Sequence, residues 1–375
     1  MVLKIEQKLI FAIFLLFQIF EIIANESCIL STGKAGVCVP IKTCERDLDA
    51  FVFETDFCAN NFSEICCESV NLRISLDESP KEIKTTRDFE SYASYKLFDS
   101  SKCGKIDEIE RISGGEEADL LEFPWNALIG YQSKTALEFL CGGSLINEFY
   151  VLTCAHCLVN PNGRIRLDVK LVRLGEYRKS TTEDCKILSD EQKLCADPVQ
   201  DIEVNRRNLI VHSDFSYLEK IHDIGLIKIS KAKMEQNNIK PICLPFEERF
   251  ETLPKSLVVI GFGRTEKSSN NSDVLLKAKV QTISNEKCFD EFKKAKSNIY
   301  FSINNDLQFC AGDIRDSCRG DSGSSIQFPQ IFEGTTVRQV QYGIVSFGDI
   351  DCGSHFPGIY TKIYPYISWI LENVK

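Results

Sequence analysis

A chain of 375 residues has room for two or three domains, one of them large enough for a substantial core. Its 43% hydrophobic and 26% charged content excludes wholesale disorder, and its net charge of −10 argues against nucleic acid or an anionic membrane as partner while suiting a basic ligand. Its 17 cysteines would be a liability in a reducing cytosol and point to disulfides in an exported protein, the odd number leaving at least one unpaired within the chain.

At the N-terminus, Lys4 and Lys8 precede the apolar stretch from Leu9 to Phe20, which ends in Glu21-Ile22-Ile23-Ala24. A charged region, a short apolar core and a small residue to cut after predict a signal peptide over residues 1–24. The apolar stretch is too short to span a bilayer comfortably. Cys28, Cys38, Cys44, Cys58, Cys66 and Cys67 follow, closing with an adjacent pair. So short a segment needs staples to fold, and three disulfides at ~2–4 kcal/mol each would supply them. Six cysteines allow many connectivities, and the residues alone choose neither among them nor between one small disulfide knot and another. The spacing resembles the clip domain that precedes many arthropod serine proteases, which assigns 25–67 to such a domain. The resemblance implies the pairs Cys28–Cys66, Cys38–Cys58 and Cys44–Cys67.

Residues 68–111 are rich in Glu, Lys, Ser and Asp, lack a sustained apolar period and read as a solvated linker. It contains the isolated Cys103 and ends at Arg111-Ile112-Ser113-Gly114-Gly115, a basic residue in a mobile segment and so a natural proteolysis site. From 112 to 375 short runs of Val, Ile, Leu, Phe and Tyr alternate with Gly, Asn and Asp turns. They predict strands at Asn126–Tyr131, Phe149–Thr153, Asp168–Leu174, Ile224–Ile229, Leu257–Gly261 and Tyr342–Phe347. Helical periodicity is scarce until Tyr364–Val374, where Tyr366, Ile367, Ile370 and Leu371 share a face. The pattern is that of an all-β antiparallel barrel or sandwich closed by a helix.

Three segments carry chemistry. Val151-Leu152-Thr153-Cys154-Ala155-His156-Cys157 places a His just after an apolar strand, beside a Cys that can pin it. His222-Asp223-Ile224-Gly225-Leu226-Ile227 puts an Asp at the head of an apolar strand, shielded from water. Gly320-Asp321-Ser322-Gly323 presents a hydroxyl on a tight turn, with the Gly320 and Ser322 amides placed to converge on an oxygen that becomes negative. A Ser hydroxyl needs a neutral imidazole to take its proton, and the imidazole needs a carboxylate to fix its tautomer. Each piece alone has an ordinary structural reading as a cap, a turn or a buried His. Together, in the order His, Asp, Ser, they strongly resemble the chymotrypsin-like serine proteases over essentially all of 112–375.

The resemblance implies a chymotrypsin-like double antiparallel β-barrel with a C-terminal helix. It makes His156 the general base and acid, Asp223 its orienter and Ser322 the nucleophile, with Gly320 and Ser322 as the oxyanion hole. Asp316, six residues before Ser322, matches the base of the primary pocket and would pair with an Arg or Lys. Gly348 and Gly358 match the pocket walls, and Ser346 the residue beside the Asp223 carboxylate. Cleavage after Arg111 would free Ile112, whose amine would pair with Asp321. This predicts an alkaline limb near the amine's pKa of ~8 and an acid limb near ~6.5 from His156. Further implied disulfides are Cys103–Cys243, Cys141–Cys157, Cys185–Cys195, Cys288–Cys310 and Cys318–Cys352. Cys154 is left over where the family usually has Ala, either as a buried filler or as a thiol open to disulfide reshuffling or an intermolecular link.

Ser324-Ser325 stand where the family usually has Gly-Pro, and Phe347 where Trp is commoner, which puts packing beneath the nucleophile turn and selectivity beside the pocket in question. Glu176, Arg178, Thr181 and Asp184 resemble a calcium-binding loop, the carboxylates and two carbonyls being hard oxygen donors, although an acidic solvated loop reads equally well. No cofactor is expected for catalysis. Asn25, Asn61 and Asn270 fit the N-glycosylation pattern. The expectation is a secreted, trypsin-like serine endopeptidase zymogen of an arthropod haemolymph cascade serving innate immunity, Toll-type signalling, melanisation or clotting. Its partners would be downstream zymogens or a pro-ligand, an upstream activating protease and a serpin-type inhibitor. The alternative is a non-catalytic clip-domain homologue acting as a cascade adaptor, and a digestive trypsin is disfavoured by the clip domain.

Overall fold

The computed structural model describes residues 88–105, 117–187, 192–265, 268–295, 303–312, 321–332, 336–348 and 357–375, the side chains of 265, 268–270 and 295 excepted. It describes the backbone alone of 27–29, 35–40, 57–58 and 61–67. The expected leader at 1–24, Asn25, Cys44, Arg111, Ile112, Asp316, Cys318, Gly320 and Cys352 lie outside the described residues. So do the side chains of the other clip cysteines and of Asn61 and Asn270.

Near the N-terminus β1 (Ser27–Ile29), β2 (Ala35–Pro40), β3 (Phe57–Cys58) and β4 (Asn61–Cys67) form a four-stranded antiparallel sheet in the order β1-β2-β4-β3. Cys38 stands opposite Cys66 and Val37 opposite Cys67 across β2 and β4. This sheet belongs to a different compact unit from the larger one, which comprises Thr85–Gln330 and Val337–Lys375.

The larger unit contains two β assemblies. In the first, β5 (Asn126–Gln132), β6 (Leu137–Asn147), β7 (Tyr150–Thr153), β8 (Val169–Leu174), β11 (Gln200–Glu203), β12 (Leu209–Val211) and β13 (Gly225–Lys228) form a seven-stranded sheet in the order β11-β8-β5-β6-β7-β13-β12. A separate pair, β9 (Cys185–Ile187) and β10 (Lys193–Cys195), carries the Cys185–Cys195 bridge. Strands such as β5 and β7 are apolar without alternation because both faces are buried.

In the second assembly, β14 (Ser256–Gly261), β17 (Leu276–Ile283), β18 (Gln308–Gly312), β19 (Ser325–Phe332), β20 (Thr336–Phe347) and β21 (Gly358–Lys362) close into a barrel, β19 returning to β14 through Val258↔Gln327 and Val259↔Ile326. Between β14 and β17 a small hairpin is made by β15 (Arg264–Thr265) and β16 (Ser268–Asn271). The expected two antiparallel β units with a C-terminal helix are therefore present. That helix, α2 (Ile367–Asn373), buries Ile367, Ile370 and Leu371 and follows a short 3-10 turn at Tyr364–Tyr366.

Two elements depart from the sequence reading. A helix α1 (Asn285–Ala295) lies where no helical period was legible. Among its described side chains only Cys288 and Phe292, one turn apart, are buried, and the Cys288–Cys310 bridge fastens it to β18 in place of a wide apolar stripe. Part of the expected solvated linker is also folded. Phe89 is buried against Phe246 and Tyr364, while Tyr95 and Phe98 pack edge-on to Phe246. Residues 88–105 run through 3-10 turns, so their aromatics show neither a helical nor a strand period. Cys103–Cys243 fastens the end of this segment.

The two β assemblies are joined by polar bonds inside the core. The wholly buried Trp125 donates from Nε1 to Gln327 Oε1 at 2.9 Å, and Ser144 Oγ donates to Gln341 Oε1 at 2.8 Å. Among the described residues no helix is long and apolar enough to cross a membrane.

Candidate active site

β7 runs buried to Thr153, after which the chain turns through a 3-10 helix at Ala155–Cys157 that carries His156. Cys157 is bonded to Cys141 of β6, which pins the turn. Because β13 pairs antiparallel with β7 through Gly225↔Thr153, the residues just before Gly225 and just after Thr153 meet. The result brings Asp223 onto His156. The His156 ring nitrogen Nδ1 lies 2.7 Å from Asp223 Oδ2, and the His156 amide donates to Oδ1 at 2.9 Å. Ser346 Oγ donates to Oδ2 at 2.5 Å, and Thr361 Oγ1 donates to the Asp223 carbonyl at 3.1 Å.

Asp223 has no exposed surface. Burial pushes its carboxyl up, but the His156 charge and the bonds from the His156 ring, Ser346 and the His156 amide outweigh it and hold the group below its ordinary range. For His156 burial works against the cation, and Asp223, with Cys154 adding to it, outweighs burial and raises the imidazole well above an ordinary histidine. Burial also pushes the Cys154 thiol up, so near neutrality it is uncharged and Asp223 is the partner that matters.

Ser322 sits half-buried on the Asp321–Gly323 turn. Its carbonyl accepts from the Gly142 amide at 2.8 Å, the Gly323 amide donates to Val345 at 2.8 Å, and Ser324 donates back to Asp321 at 2.9 Å. Gly323 has φ +86°, and a Cβ there would lie 2.2 Å from Thr153 Oγ1 and 2.4 Å from the Gly142 carbonyl. The turn is thus tied to β6, β7 and β20, and Cys157 Sγ of the histidine turn lies 3.8 Å from the Ser322 carbonyl. Among the described residues Ser322 Oγ and His156 Nε2 form no hydrogen bond, and Cys154 Sγ lies 3.7 Å from Nε2. Such bonds commonly tighten only around bound substrate. The Gly263 amide donates to Asp321 Oδ1 at 2.7 Å, and a Cβ on Gly261 or Gly263 would collide with that carboxylate.

A buried carboxylate, an imidazole held by it and a hydroxyl turn laced to the same strands can deprotonate a serine for acyl transfer. The trypsin family model matches residues 112–370. The chain belongs to the trypsin family. It is 32% identical to serine protease grass of Drosophila melanogaster over 93% of this chain and 91% of that protein. It is 33% identical to phenoloxidase-activating factor 3 of Holotrichia diomphalia over 95% and 96%. The crystal structure of the Drosophila Grass clip serine protease of the Toll pathway superimposes with a TM-score of 0.62 at 32% identity, covering 92% of this chain and 96% of that one.

In this trypsin-family chain, Gly348 and Gly358 close on each other at the ends of β20 and β21. A Cβ on Gly348 would stand 3.6 Å from Gly358 Cα, an ordinary contact distance, so the two backbones lie side by side there. Phe347 packs against Cys288, Phe292, Cys310 and Ile359. The doubt over Ser324-Ser325 is resolved by Gly142, where a Cβ would meet Ser324 Oγ at 2.1 Å, and by Gln327, whose Oε1 accepts from Ser325 Oγ at 2.7 Å. Sequence reasoning missed Gly142 and Gly263, although the Cys141-Gly142-Gly143 run and Gly261-Phe262-Gly263 carry a visible signal. It placed Tyr366 on the terminal helix face but missed that its hydroxyl pairs with His222 Nδ1 at 3.0 Å. That contact anchors a residue at φ +53° directly before Asp223.

In the loop expected to bind calcium, Arg178, Thr181 and Asp184 meet, while Glu176 pairs with Arg173. Asp184 accepts from the Arg178 amide at 3.2 Å and from Thr181 Oγ1 at 2.5 Å, and the Arg178 carbonyl accepts from Thr181. Glu176 is buried, which raises its carboxyl, and Asp184 raises it further, while Arg173 at 3.1 Å opposes both. Two mutually repelling carboxylates beside a carbonyl suit a hard cation in kind. Among the described residues Cys103–Cys243, Cys141–Cys157, Cys185–Cys195 and Cys288–Cys310 are bonded and Cys154 is free.

Proposed function

We propose that the chain is the zymogen of a secreted serine endopeptidase that is cleaved after Arg111 and then cuts proteins after Arg or Lys. The observation that carries this reading is the wholly buried Asp223, which accepts from the ring and amide of His156 and from Ser346. In the mechanism that follows, Asp223 holds Nδ1–H so that Nε2 faces the cleft as a base. Nε2 takes the Ser322 proton as Oγ attacks the scissile carbonyl, and returns it to the leaving amine. The Gly320 and Ser322 amides receive the oxyanion, a contribution on the order of 3 kcal/mol per donor in related enzymes. Asp316 pairs with the cationic side chain before the scissile bond. Before cleavage Asp321 lacks the Ile112 amine, and pairing with it orders the Gly320 amide.

Relatives named for Toll-pathway, phenoloxidase-activating and melanisation proteases support an extracellular cascade, with other zymogens or a pro-ligand as substrates and an upstream protease as activator. A serpin-type inhibitor would be its brake. Glu176 and Asp184, with the Arg178 and Thr181 carbonyls, would hold a calcium ion that stabilises the loop. The test is to cleave at Arg111 with a protease of known specificity and compare short Arg, Lys and Phe amide substrates. Arg and Lys turnover that disappears in Ser322→Ala is expected. Preference for Phe overturns the pocket assignment, and a Ser322→Ala chain that still supports a reconstituted cascade overturns the catalytic reading.

A further inference from the structure

The catalytic histidine has a neighbour that proton transfer does not use. Cys154 is unpaired and wholly buried, with its Sγ 3.7 Å from His156 Nε2 and 3.1 Å from Cys157 Sγ. These three side chains bring their donor atoms within 4.8 Å of one another, but Cys157 is oxidised to Cys141 and its sulfur cannot serve as a thiolate. The pair that remains is Cys154 and His156. We infer that Cys154 Sγ and His156 Nε2 form a binding site for a thiophilic divalent cation of the zinc type, whose occupancy silences the imidazole.

The bite supports this. Zinc bonds of ~2.3 Å to sulfur and ~2.0 Å to nitrogen, set near the tetrahedral angle, separate the two donors by roughly 3.5 Å. The observed 3.7 Å needs only a slightly wider angle. The far side of the ring, though it also serves the proposed catalysis, is arranged as a metal ligand's would be. A metal-bound histidine usually donates its other N–H to a carboxylate, which fixes the ring and makes the free nitrogen a better donor. His156 does this to Asp223 at 2.7 Å, and Ser346 and the His156 amide hold that carboxylate in turn. The His156 side chain keeps 17% of its surface exposed and Cys154 keeps none, so an ion would enter from the side of the ring. Thiolate and imidazole together select zinc, cadmium or a similar ion over magnesium or calcium. On binding, the Cys154 S–H proton leaves to solvent and a sulfur–metal bond replaces it. The Nε2 lone pair is taken up by the metal and can no longer accept the Ser322 proton. Water fills the remaining positions.

That occupancy stops proteolysis rests on the proposed protease function; the binding itself does not. Two measurements separate the claims. In the first, cadmium is titrated into full-length Ser322→Ala protein. A thiolate-to-metal charge-transfer band saturating at one equivalent is expected, and it disappears in Ser322→Ala/Cys154→Ala. In the second, chain cleaved at Arg111 is assayed on an Arg amide against zinc. Cys154→Ala retains metal-free activity and needs about tenfold or more zinc for half inhibition. Absence of the band, or its persistence without Cys154, overturns the site even if the chain proves inactive as a protease. Equal zinc sensitivity of the two active forms overturns the regulatory consequence.

Discussion

The carboxylate of Asp223 meets the imidazole of His156 at 2.7 Å while having no exposed surface of its own. It raises the imidazole well above an ordinary histidine, the net outcome once the opposing effect of burial is overcome. A base with a raised pKa stays protonated, and idle, at pH values where an ordinary imidazole is already neutral. The acid limb of kcat/KM is therefore expected above the ~6.5 of an unperturbed side chain. Asp223→Asn should lower the rate by about 10⁴ and move the limb to lower pH. An acid limb at or below that of free histidine would show that Asp223 does not govern the base.

At the other end of the pH range the Asp321 carboxylate is the partner to watch. The proposed ion pair with the Ile112 amine requires that amine to be protonated, and its reference pKa is about 8. Above the pKa reached in the pair, the cleaved enzyme should lose activity while its fold persists, with KM rising as the pocket closes. Rate measurements and far-ultraviolet dichroism on one sample from about pH 7 to 10.5 check this. A rate that stays flat to the top of that range is incompatible with the pair.

The turn that carries Ser322 allows no side chain at Gly323. Gly323→Ala would place a methyl 2.4 Å from the Gly142 carbonyl at a left-handed φ of +86°. The conformation alone costs ~1–2 kcal/mol and overpacking adds ~1–3. Loss of about 3 kcal/mol by denaturant titration, together with loss of activity, is expected. Ser322→Ala should abolish activity and leave stability almost unchanged, because the serine is tied in through its backbone.

The contrast between Ser322 and Gly323 bears on what the chain made legible. The apolar runs that became β7 and β13 flank His156 and Asp223 visibly, since burial on both faces leaves uninterrupted hydrophobic stretches. The register that joins them, Gly225↔Thr153, leaves no mark on either run alone. Gly142 was passed over because its importance comes from a chain segment far away, the Ser322 turn. Helix α1 escaped notice because, among its described side chains, only Cys288 and Phe292 are buried, and a disulfide adds to its hold. Cys154 was read as a filler or an exchangeable thiol. Its position beside Nε2 follows from the bend of the 3-10 turn, which sequence spacing does not specify.

Chelation tests the loop from Glu176 to Asp184. Burial and Asp184 raise the Glu176 carboxyl against the pull of Arg173, so a bound cation would relieve a cost already present. At calcium ~100-fold above its dissociation constant, binding stabilises by about 2.7 kcal/mol, and chelator should lower Tm by about 5–10 °C. Glu176→Gln should erase that difference by making the calcium-free and calcium-loaded transitions coincide. A wild-type Tm indifferent to chelator removes calcium from the account.

Phe89 tests whether the segment before the protease region is part of its fold. The ring is 4% exposed, edge-on to Phe246 and Tyr364, in a stretch whose composition reads as solvated linker. Phe89→Ala should destabilise by about 3 kcal/mol, the range for removing a buried aromatic. Because Cys103–Cys243 still fastens the segment's end, the variant should not release it but should let residues 88–102 fray. Limited proteolysis then has a clear readout. Cuts should appear around Tyr92 to Phe98 in Phe89→Ala under conditions that leave the wild type intact, while amide turnover by the Arg111-cleaved enzyme persists. Equal resistance of both proteins would mean that the aromatic cluster does not hold the segment down.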